Sequence, residues 1–384
     1  MSDFRLDAEC GSARAGRLTT AHGVVATPAF MPVATQASVK GASPDEVAAS
    51  GASLLIMNTY HLWLRPGAES IARQGGLHAF CRWPHAIATD SGGYQAFSLS
   101  ERVKLTEDGF EFASHLDGRR LHLSPEEAMR IQGLLGSDLA MPLDVCPPAG
   151  ASRAELVAAV ERTTRWAERC LAARNPGQAL FGIVQGGVDV ELRREHARVL
   201  ARFPFDGLAL GGFSVGEPPA LMHQTLAVIG PELDRARPRY LMGVGTPADL
   251  IRGVGAGIDL FDCVLPTRNA RNGQAFTRRG KLVIKNARHR DDPRPLEADC
   301  ECPACAGGFS RAYLRHLFVA REMLALRLLT LHNLHLYARL TAGARAAVLA
   351  GTFGAWAEAR LLELESDPVE SSPEGRDPLR CSEG

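Results

Sequence analysis

The sequence lacks an excess of either charge, because its 43 lysine and arginine residues are matched by 43 aspartate and glutamate residues. Net charge therefore predicts no polyanionic partner, and any contact with nucleic acid must come from a local basic patch. No apolar run reaches the length that spans a membrane, and the first residues contain no apolar core of a signal peptide. These absences predict a soluble, cytoplasmic protein with no membrane partner.

Cysteine is scarce and unevenly distributed. The nine cysteines are an odd number, and most stand far apart, which argues for a reducing compartment and against a disulfide framework. The exception is the tight cluster Cys300-x-Cys302-x₂-Cys305, which predicts a zinc site that needs one further ligand. His332 and His335 are the candidates. Four protein ligands would make this zinc structural rather than catalytic, because they leave no open position.

The apolar content, 46% of 384 residues, is ample for a large core. Short apolar runs alternate with helix-like segments, and such continuous runs are typical of parallel strands buried on both faces. We place the runs at about 29–34, 53–58, 85–90, 138–144, 180–185, 207–212, 239–244 and 258–262. Eight strand–helix units predict an α/β fold of the closed (β/α)₈ TIM-barrel type. A doubly wound open sheet is the competing interpretation, but the chain has no glycine-rich dinucleotide-binding turn.

The chain divides into four predicted parts. Residues 1–264 form the barrel body, with a hairpin inserted at about 96–124. Residues 265–335 form a basic, zinc-binding subdomain, and residues 336–366 form a helical part that closes the barrel. Residues 367–384 are rich in Ser, Pro, Glu and Gly, and are predicted to be a disordered tail.

Polar residues and glycines terminate or closely follow the predicted strands. In a (β/α)₈ barrel the carboxyl ends of the strands meet at one mouth, where catalytic groups lie. The residues predicted to converge there are Asn58, Asp90, Asp144, Gln185, Gly212, Met242 and Asp262. Two carboxylates in one mouth suit glycosyl transfer with retention, which needs a nucleophile and a group that manages the leaving group's proton.

The remaining groups at the predicted mouth could read a flat purine. A third carboxylate accepts hydrogen bonds from ring N–H and amino groups, while Gln185 and a glycine N–H donate to a carbonyl. Tyr94 and Met242 would cover the two faces of the base.

A basic run follows Asp262 with no acidic residue in it. An ordinary solvated face is the simplest interpretation, but a carboxylate beside many cations also suits chemistry on a polyanion. The run consists of Arg268, Arg271, Arg278, Arg279, Lys281, Lys285, Arg288 and Arg290.

Long motifs in this chain closely resemble a known family. They are Asp90-Ser-Gly-Gly-Tyr-Gln, Gly182-Ile-Val-Gln185-Gly, Tyr240-Leu-Met-Gly-Val-Gly and Phe261-Asp262-Cys-Val-Leu-Pro-Thr-Arg. The resemblance is to the bacterial tRNA-guanine transglycosylases, of the queuine tRNA-ribosyltransferase family, and covers nearly the whole chain. It implies a pentosyltransferase that exchanges guanine at the wobble position of tRNAs with GUN anticodons (Asp, Asn, His and Tyr). The entering 7-deazaguanine base would be preQ1, 7-aminomethyl-7-deazaguanine, on the route to queuosine.

The resemblance also implies residue roles. Asp262 matches the nucleophile that forms a covalent tRNA–enzyme intermediate, and Asp90 matches the general acid and base. The implied base-binding residues are Asp90, Ser91, Tyr94, Asp144, Cys146, Gln185, Gly211, Gly212, Phe213, Glu217 and Met242. The implied contacts to the tRNA anticodon loop are Gly243, Thr267, Arg268 and Arg271. The structural zinc, one per chain, falls on Cys300, Cys302, Cys305 and His332. Family members are commonly homodimers.

The chain departs from the family pattern near the base pocket. Val145 stands where Glu is usual, and Phe213-Ser214 stand where Leu-Ala is usual. Phe213 and Glu217 lie where the family senses the 7-substituent, so preQ1 is the first expectation and queuine salvage the alternative. A non-catalytic tRNA-binding subunit is a further alternative, although a scaffold has no need of both Asp90 and Asp262. An enzyme acting on DNA or on another tRNA position is the last.

Overall fold

A computed structural model describes residues 3–99 and 103–366 of the chain. Its strands, in chain order, are β1 (Asp3–Cys10), β2 (Ala13–Thr20), β3 (Gly23–Thr27), β4 (Ala29–Pro32), β5 (Leu54–Met57), β6 (Ala86–Thr89), β7 (Val103–Leu105), β8 (Phe110–Ala113), β9 (Arg120–Leu123), β10 (Leu139–Ala140), β11 (Ala179–Val184), β12 (Gly207–Leu210), β13 (Arg239–Leu241), β14 (Leu260–Cys263), β15 (Gln274–Thr277) and β16 (Gly280–Val283).

The helices, in chain order, are α1 (Pro44–Ala49), α2 (Thr59–Leu64), α3 (Ala68–Arg73), α4 (Gly76–Cys81), α5 (Gly93–Leu99), α6 (Pro125–Leu135), α7 (Arg153–Ala172), α8 (Val190–Leu200), α9 (Pro219–Glu232), α10 (Pro247–Gly255), α11 (Leu265–Arg271), α12 (Pro303–Ala306), α13 (Arg311–Val319), α14 (Met323–Leu349) and α15 (Phe353–Ser366). A 3₁₀ turn covers Ala287–His289. Serine or threonine caps begin several helices; Ser152, for example, forms a capping box with Glu155 at the start of α7.

Eight parallel strands close into a barrel. In space they follow their chain order, β4, β5, β6, β10, β11, β12, β13 and β14, and β14 returns to pair with β4. The parallel bridge between Val33 and Ile56 links β4 to β5 and completes the ring. Each predicted apolar run overlaps one of these strands, so the predicted (β/α)₈ fold is confirmed and the open sheet is excluded.

Side chains of the barrel strands alternate between two apolar layers. Met31, Phe181 and Tyr240 belong to the cluster inside the barrel. Phe30 and Phe261 belong to the cluster between the strands and the surrounding helices. Because both faces of each strand are buried, the sequence shows continuous apolar runs rather than an apolar–polar alternation.

The antiparallel sheet of β1, β2 and β3 is absent from the sequence-based prediction, which has no strand before residue 29. Leu18 and Val25 of this sheet pack into the interior cluster with Met31 and Leu54, so the sheet covers the amino-terminal end of the barrel. Many residues of β1 remain partly or fully exposed. Their sequence therefore carries too weak an apolar pattern to indicate a strand.

Two further segments interrupt the strand–helix alternation. After β6, the strands β7, β8 and β9 form a three-stranded antiparallel sheet, one strand more than the hairpin predicted within 96–124. After β14 come α11, the β15–β16 hairpin, α12 and α13, and then α14, which crosses residue 335 without a break. The division into 1–264, 265–335 and 336–366 stays a prediction, and the predicted tail, 367–384, lies outside the described residues.

Gly207 tests the packing of the barrel interior. A Cβ at Gly207 would lie 2.4 Å from the ring of Phe181, which is fully buried. We therefore expect Gly207→Ala to lower the free energy of unfolding in urea by about 1–3 kcal/mol. The control is Gly354→Ala in α15, where a Cβ meets nothing within 4 Å; it should raise stability by about 0.5–1 kcal/mol. Equal stability of the two variants would contradict a close-packed interior.

Candidate active site

The carboxyl ends of the barrel strands surround one cavity of about 870 Å³. Three of the residues predicted for the mouth or the site lie outside its lining: Asn58, which follows β5, and Thr267 and Arg271 on α11. Thr267 is buried and donates its hydroxyl to the Val264 carbonyl (3.2 Å). The others line it: Asp90, Ser91, Tyr94, Asp144, Cys146, Gln185, Gly211, Gly212, Phe213, Glu217, Met242, Gly243, Asp262 and Arg268.

Asp90 follows β6, and groups at the end of the neighbouring strand hold its carboxylate. Oδ2 accepts a hydrogen bond from Asn58 Nδ2 (2.5 Å), and Oδ1 accepts the backbone N–H groups of Thr59 (2.9 Å) and Gly92 (3.1 Å). Burial outweighs these donors and, with the nearby charge of Asp262, raises the pKa of Asp90 to about 7. The carboxyl group therefore exchanges its proton near neutral pH.

Asp262 lies in β14 and is held by the neighbouring strand β13. Its Oδ1 accepts hydrogen bonds from Tyr240 Oη (2.6 Å) and from the Gly243 N–H (2.7 Å). Burial raises the pKa of Asp262, although both donors oppose the shift. Among the described residues no donor bonds to Oδ2. One oxygen is thus fixed, and the other is available to a ligand.

Asp144 and Gln185 form a hydrogen-bonded edge of the cavity. Gln185 Nε2 donates to Asp144 Oδ2 (2.7 Å), and burial raises the pKa of Asp144 to about 6. The Gln185 amide lies against the backbone of Gly211 and Gly212, where added Cβ atoms would come within 2.6 and 2.4 Å of it. Only glycine permits this approach. Within the described structure the buried Gln185 Oε1 has no partner.

The loop after β12 is held by Glu217 and Arg193. The Glu217 carboxylate accepts the backbone N–H groups of Ser214 (2.5 Å) and Val215 (3.0 Å). Phe213 is buried, and the guanidinium carbon of Arg193 lies 3.8 Å from the centre of its ring. This stack fixes the Phe213 side chain in the wall of the cavity.

The other predicted residues differ in exposure. Tyr94 is 51% exposed, and Met242 is partly buried. Burial raises the pKa of the Cys146 thiol to about 12, so Cys146 keeps its proton and acts as a wall rather than a nucleophile. Ser91 is buried, and its hydroxyl oxygen accepts the Gly93 N–H (3.3 Å).

Sequence reasoning missed three groups that shape the cavity: Thr59, Tyr240 and Arg193. Thr59 follows the predicted strand 53–58, and Tyr240 lies in the predicted strand 239–244 and begins one of the motifs, but the sequence does not show that they bond to carboxylates. Arg193 lies on α8 among other arginines, and no local signal distinguishes it.

The clustered cysteines meet His332 in the segment after the barrel. The Sγ atoms of Cys300, Cys302 and Cys305 lie 3.7, 3.3 and 3.5 Å from His332 Nδ1, and all four residues are buried. Tetrahedral zinc separates a thiolate sulfur from an imidazole nitrogen by about 3.6 Å, so the donor set fits zinc. His332 Nε2 lies 2.8 Å from the Phe276 carbonyl oxygen, which leaves Nδ1 free to be the ligand. His335, the other candidate, is not part of this cluster.

The basic run after Asp262 is largely exposed. Arg268 is exposed and lines the cavity, while Arg271 is partly buried. Arg278 is partly neutralised by Glu363, at 3.3 Å. The exposed members of the run are Arg268, Arg279, Lys281, Lys285, Arg288 and Arg290. Their exposed charges are suited to phosphate, and we call these six residues the basic surface.

A closed barrel with carboxylates around a cavity at its strand ends defines a (β/α)₈-barrel enzyme. A sequence model of the family "Queuine tRNA-ribosyltransferase" matches residues 8–366. The chain belongs to this family and is a pentosyltransferase, as its motifs predict. Within the described residues, no helix combines the length and the apolar character needed to cross a membrane.

Named relatives agree with the family match. A queuine tRNA-ribosyltransferase of Sorangium cellulosum (strain So ce56) is 66% identical over 351 residues, 91% of this chain and 89% of that protein. Proteins of the same name from Syntrophobacter fumaroxidans and Jannaschia sp. (strain CCS1) are each 53% identical, over 96% and 94% of this chain and 100% and 96% of their own lengths.

Cys302→Ser tests the metal cluster. A serine hydroxyl is a poor zinc ligand, so we expect the variant to lose about one zinc per chain, measured by mass spectrometry of the metal content. Because metal binding and folding are coupled, its melting temperature should fall by about 5 °C or more. Cys10→Ser, a partly buried thiol on β1, is the control and should keep its metal. An unchanged zinc content in Cys302→Ser would refute the ligand set.

Proposed function

We propose that the chain is a tRNA-guanine transglycosylase that exchanges guanine at the wobble position of GUN-anticodon tRNAs (Asp, Asn, His and Tyr) for preQ1, in queuosine biosynthesis. The observation that carries the proposal is that Asp90, Asp144 and Asp262 line one cavity with the Gln185 amide. A nucleophile, a proton carrier and a base-reading edge are the parts that base exchange through a covalent intermediate requires. The name shared by the relatives supports the substrate class.

Asp262 is the proposed nucleophile. Tyr240 and Gly243 hold Oδ1, so Oδ2 can attack the anomeric carbon of the ribose. The bond from C1′ to guanine breaks as the bond from Oδ2 to C1′ forms, and the electron pair of the broken bond passes to the departing base. The entering base reverses this step, which retains the configuration at C1′.

Asp90 is the proposed proton carrier. Its pKa of about 7 suits a group that both gives and takes a proton at neutral pH. Protonated Asp90 would give its proton to the departing guanine, and the resulting carboxylate would take one from the entering base. Asn58 and Thr59 hold the carboxyl group in one orientation for both steps.

The base would be read by Asp144, Gln185 and the Gly212 N–H. Asp144 accepts from the ring N–H and amino group of guanine, and Gln185 Nε2 has a second hydrogen beyond the one that it gives to Asp144. That hydrogen and the Gly212 N–H can donate to the base carbonyl. Tyr94 and Met242 would cover the faces of the ring, with Ser91, Cys146 and Gly211 completing the wall.

The 7-substituent would meet the loop of Phe213 and Glu217. The Ser214 N–H points at Glu217, so the carbonyl of the same trans peptide, that of Phe213, points away from it. A carbonyl oxygen and a carboxylate in one loop suit the aminomethyl cation of preQ1. Queuine is the second candidate, because an adjoining apolar cavity of about 280 Å³ is lined by Val145 and Cys146, where a bulkier substituent could extend.

The tRNA would lie across the barrel mouth and the basic surface. Gly243, Thr267, Arg268 and Arg271 are the proposed contacts to the anticodon loop, whose target nucleotide must turn out of its stack to enter the cavity. One structural zinc would order the segment that carries this surface. A homodimer, in which one subunit orients the RNA, and a cytoplasmic location complete the proposal.

Asp262→Asn tests the nucleophile. Because an amide cannot form the covalent link, we expect the variant to incorporate no radiolabelled guanine into tRNA and to leave no tRNA–enzyme band on a denaturing gel. The wild-type chain should incorporate the labelled guanine and leave the tRNA–enzyme band. In its assay, preQ1 should compete with guanine better than queuine does. Guanine incorporation by Asp262→Asn would remove the proposed nucleophile. Stronger competition by queuine would reassign the entering base.

Asn58→Ser tests the proton carrier. The rate of guanine exchange should fall above about pH 7, because protonated Asp90 is needed to release guanine. The hydrogen bond from Asn58 lowers the pKa of Asp90. Its loss should therefore move the fall in rate on the alkaline side of the pH–rate profile to higher pH, by up to about 1 pH unit. Serine keeps the helix cap that Asn58 provides to His61, so the fold is preserved. If the rate falls at the same pH in the variant and the wild type, the ionisation that limits the rate is that of a group other than Asp90.

A further inference from the structure

Arg193 is a fully buried arginine beside the base-reading edge. It reaches from α8 to the barrel rim, where its Nε donates to the Gly187 carbonyl (2.5 Å), Nη1 to the Val184 carbonyl (3.2 Å) and Nη2 to the Gly211 carbonyl (2.8 Å). These carbonyls lie at the end of β11 or just after the ends of β11 and β12, which are neighbouring strands. The guanidinium therefore fixes the spacing between the strand ends that carry Gln185 and Gly212.

No carboxylate of the described residues lies within ion-pair distance of this cation. Backbone carbonyls and the face of Phe213, 3.8 Å away, meet its charge directly, and the Glu217 carboxylate stabilises it at longer range. Burial lowers the pKa of Arg193 to about 9, so it remains charged at neutral pH. A buried cation without a paired carboxylate opposes folding, and such a group directly behind two residues of the cavity lining, Gly211 and Gly212, suggests a function.

The bond to Gly211 connects Arg193 to the base. The Gly211 carbonyl and the Gly212 N–H belong to one peptide unit, so a cation bonded to the oxygen polarises the N–H and makes it a stronger donor. The Gly212 N–H is one of the two groups that would donate to the base carbonyl. When the sugar–base bond breaks, its electron pair passes to the purine, and the carbonyl oxygen takes part of that negative charge.

We propose that Arg193 is a positioning residue for base exchange: it sets the distance between the Gln185 amide and the Gly212 N–H, and its charge stabilises the base as that base becomes negative. This inference rests on the proposed function and assigns a role to a residue that does not contact the base itself. Phe213 completes the arrangement, because its ring holds the guanidinium plane against the loop.

The test compares Arg193→Met, which removes the charge, with Arg193→Lys, which keeps the charge but not the three-point fork. For Arg193→Met we expect kcat/KM for guanine to fall on the order of 10²-fold, with unchanged tRNA affinity in a gel-shift assay. The loss should be smaller with 8-azaguanine, whose additional ring nitrogen makes it a more stable anion. For Arg193→Lys we expect a raised KM for guanine and the wild-type preference between the two bases.

The matched control is Arg239→Lys. Arg239 is also a buried arginine that donates to three backbone carbonyls, those of Leu233, Asp234 and Gly257, but it lies at the start of β13, away from the cavity. The Arg239→Lys variant should have a lower melting temperature than the wild type and the wild-type kcat/KM for both bases.

Equal losses with guanine and 8-azaguanine, in proportion to the fall in melting temperature, would overturn the inference and leave Arg193 a structural residue. If Arg193→Met does not fold, Arg193→Lys decides alone, because an unchanged KM for guanine would refute the positioning role. Wild-type protein is assayed in parallel. If the wild-type protein exchanges no guanine, the proposed function itself fails. If the wild-type protein is active and both Arg193 variants are equally active, only the inference about Arg193 fails.

Discussion

Three aspartates at the barrel mouth are each held by a donor from the adjacent strand end, and the rest of the site depends on this constraint. Asn58 and Thr59, after β5, hold Asp90 after β6. Gln185, after β11, holds Asp144 after β10, and Tyr240 of β13 holds Asp262 of β14. Such pairs form only if neighbouring strands are parallel and in register. Closure of the ring through the Val33–Ile56 bridge, with β4 between β5 and β14, brings the pair at β5 and β6 round to the pair at β13 and β14.

Helix α14 joins the metal cluster to this barrel. His332 is the histidine of the cluster, and the next residue, Asn333, accepts the Phe276 N–H (2.8 Å) and donates to the Pro266 carbonyl (2.8 Å) on α11. Tyr337, one turn further, donates to the Gly245 carbonyl (2.6 Å) in the loop after β13. A metal that fixes α14 at His332 thus also supports the loop that holds Asp262. A structural zinc can affect the active site without contacting it.

The sequence predicted the parts that depend on local pattern. Continuous apolar runs indicated all eight barrel strands, and the strand ends identified Asp90, Asp144 and Asp262, because a barrel gathers its strand ends whatever the loops do. It missed the β1–β3 sheet, because no residue of β1 is fully buried and the buried start of β2, Ala-Arg-Ala-Gly, contains no large apolar side chain. It also missed Arg193, since a buried arginine on an amphipathic helix has no local signature. The choice between His332 and His335 needed the fold or the family, because both lie on one helix near the cysteines.

Ionisation at the mouth opposes folding, while ionisation at the surface favours it. Burial raises the pKa of Asp90 to about 7 and of Asp144 to about 6, so the folded chain binds these protons more tightly than the unfolded chain does. Their contribution to stability is present at low pH and is lost as the pH rises from about 4 toward those values. Glu126 behaves oppositely: the bond from Arg169 lowers its pKa to about 2, so its contribution is present above the ordinary value and is lost as the pH falls toward 2. A neutral pH at which Asp90 can exchange protons is therefore one at which the mouth is already partly destabilised. The paired carboxylates on the helices, such as Glu126, and the close-packed interior must offset that cost.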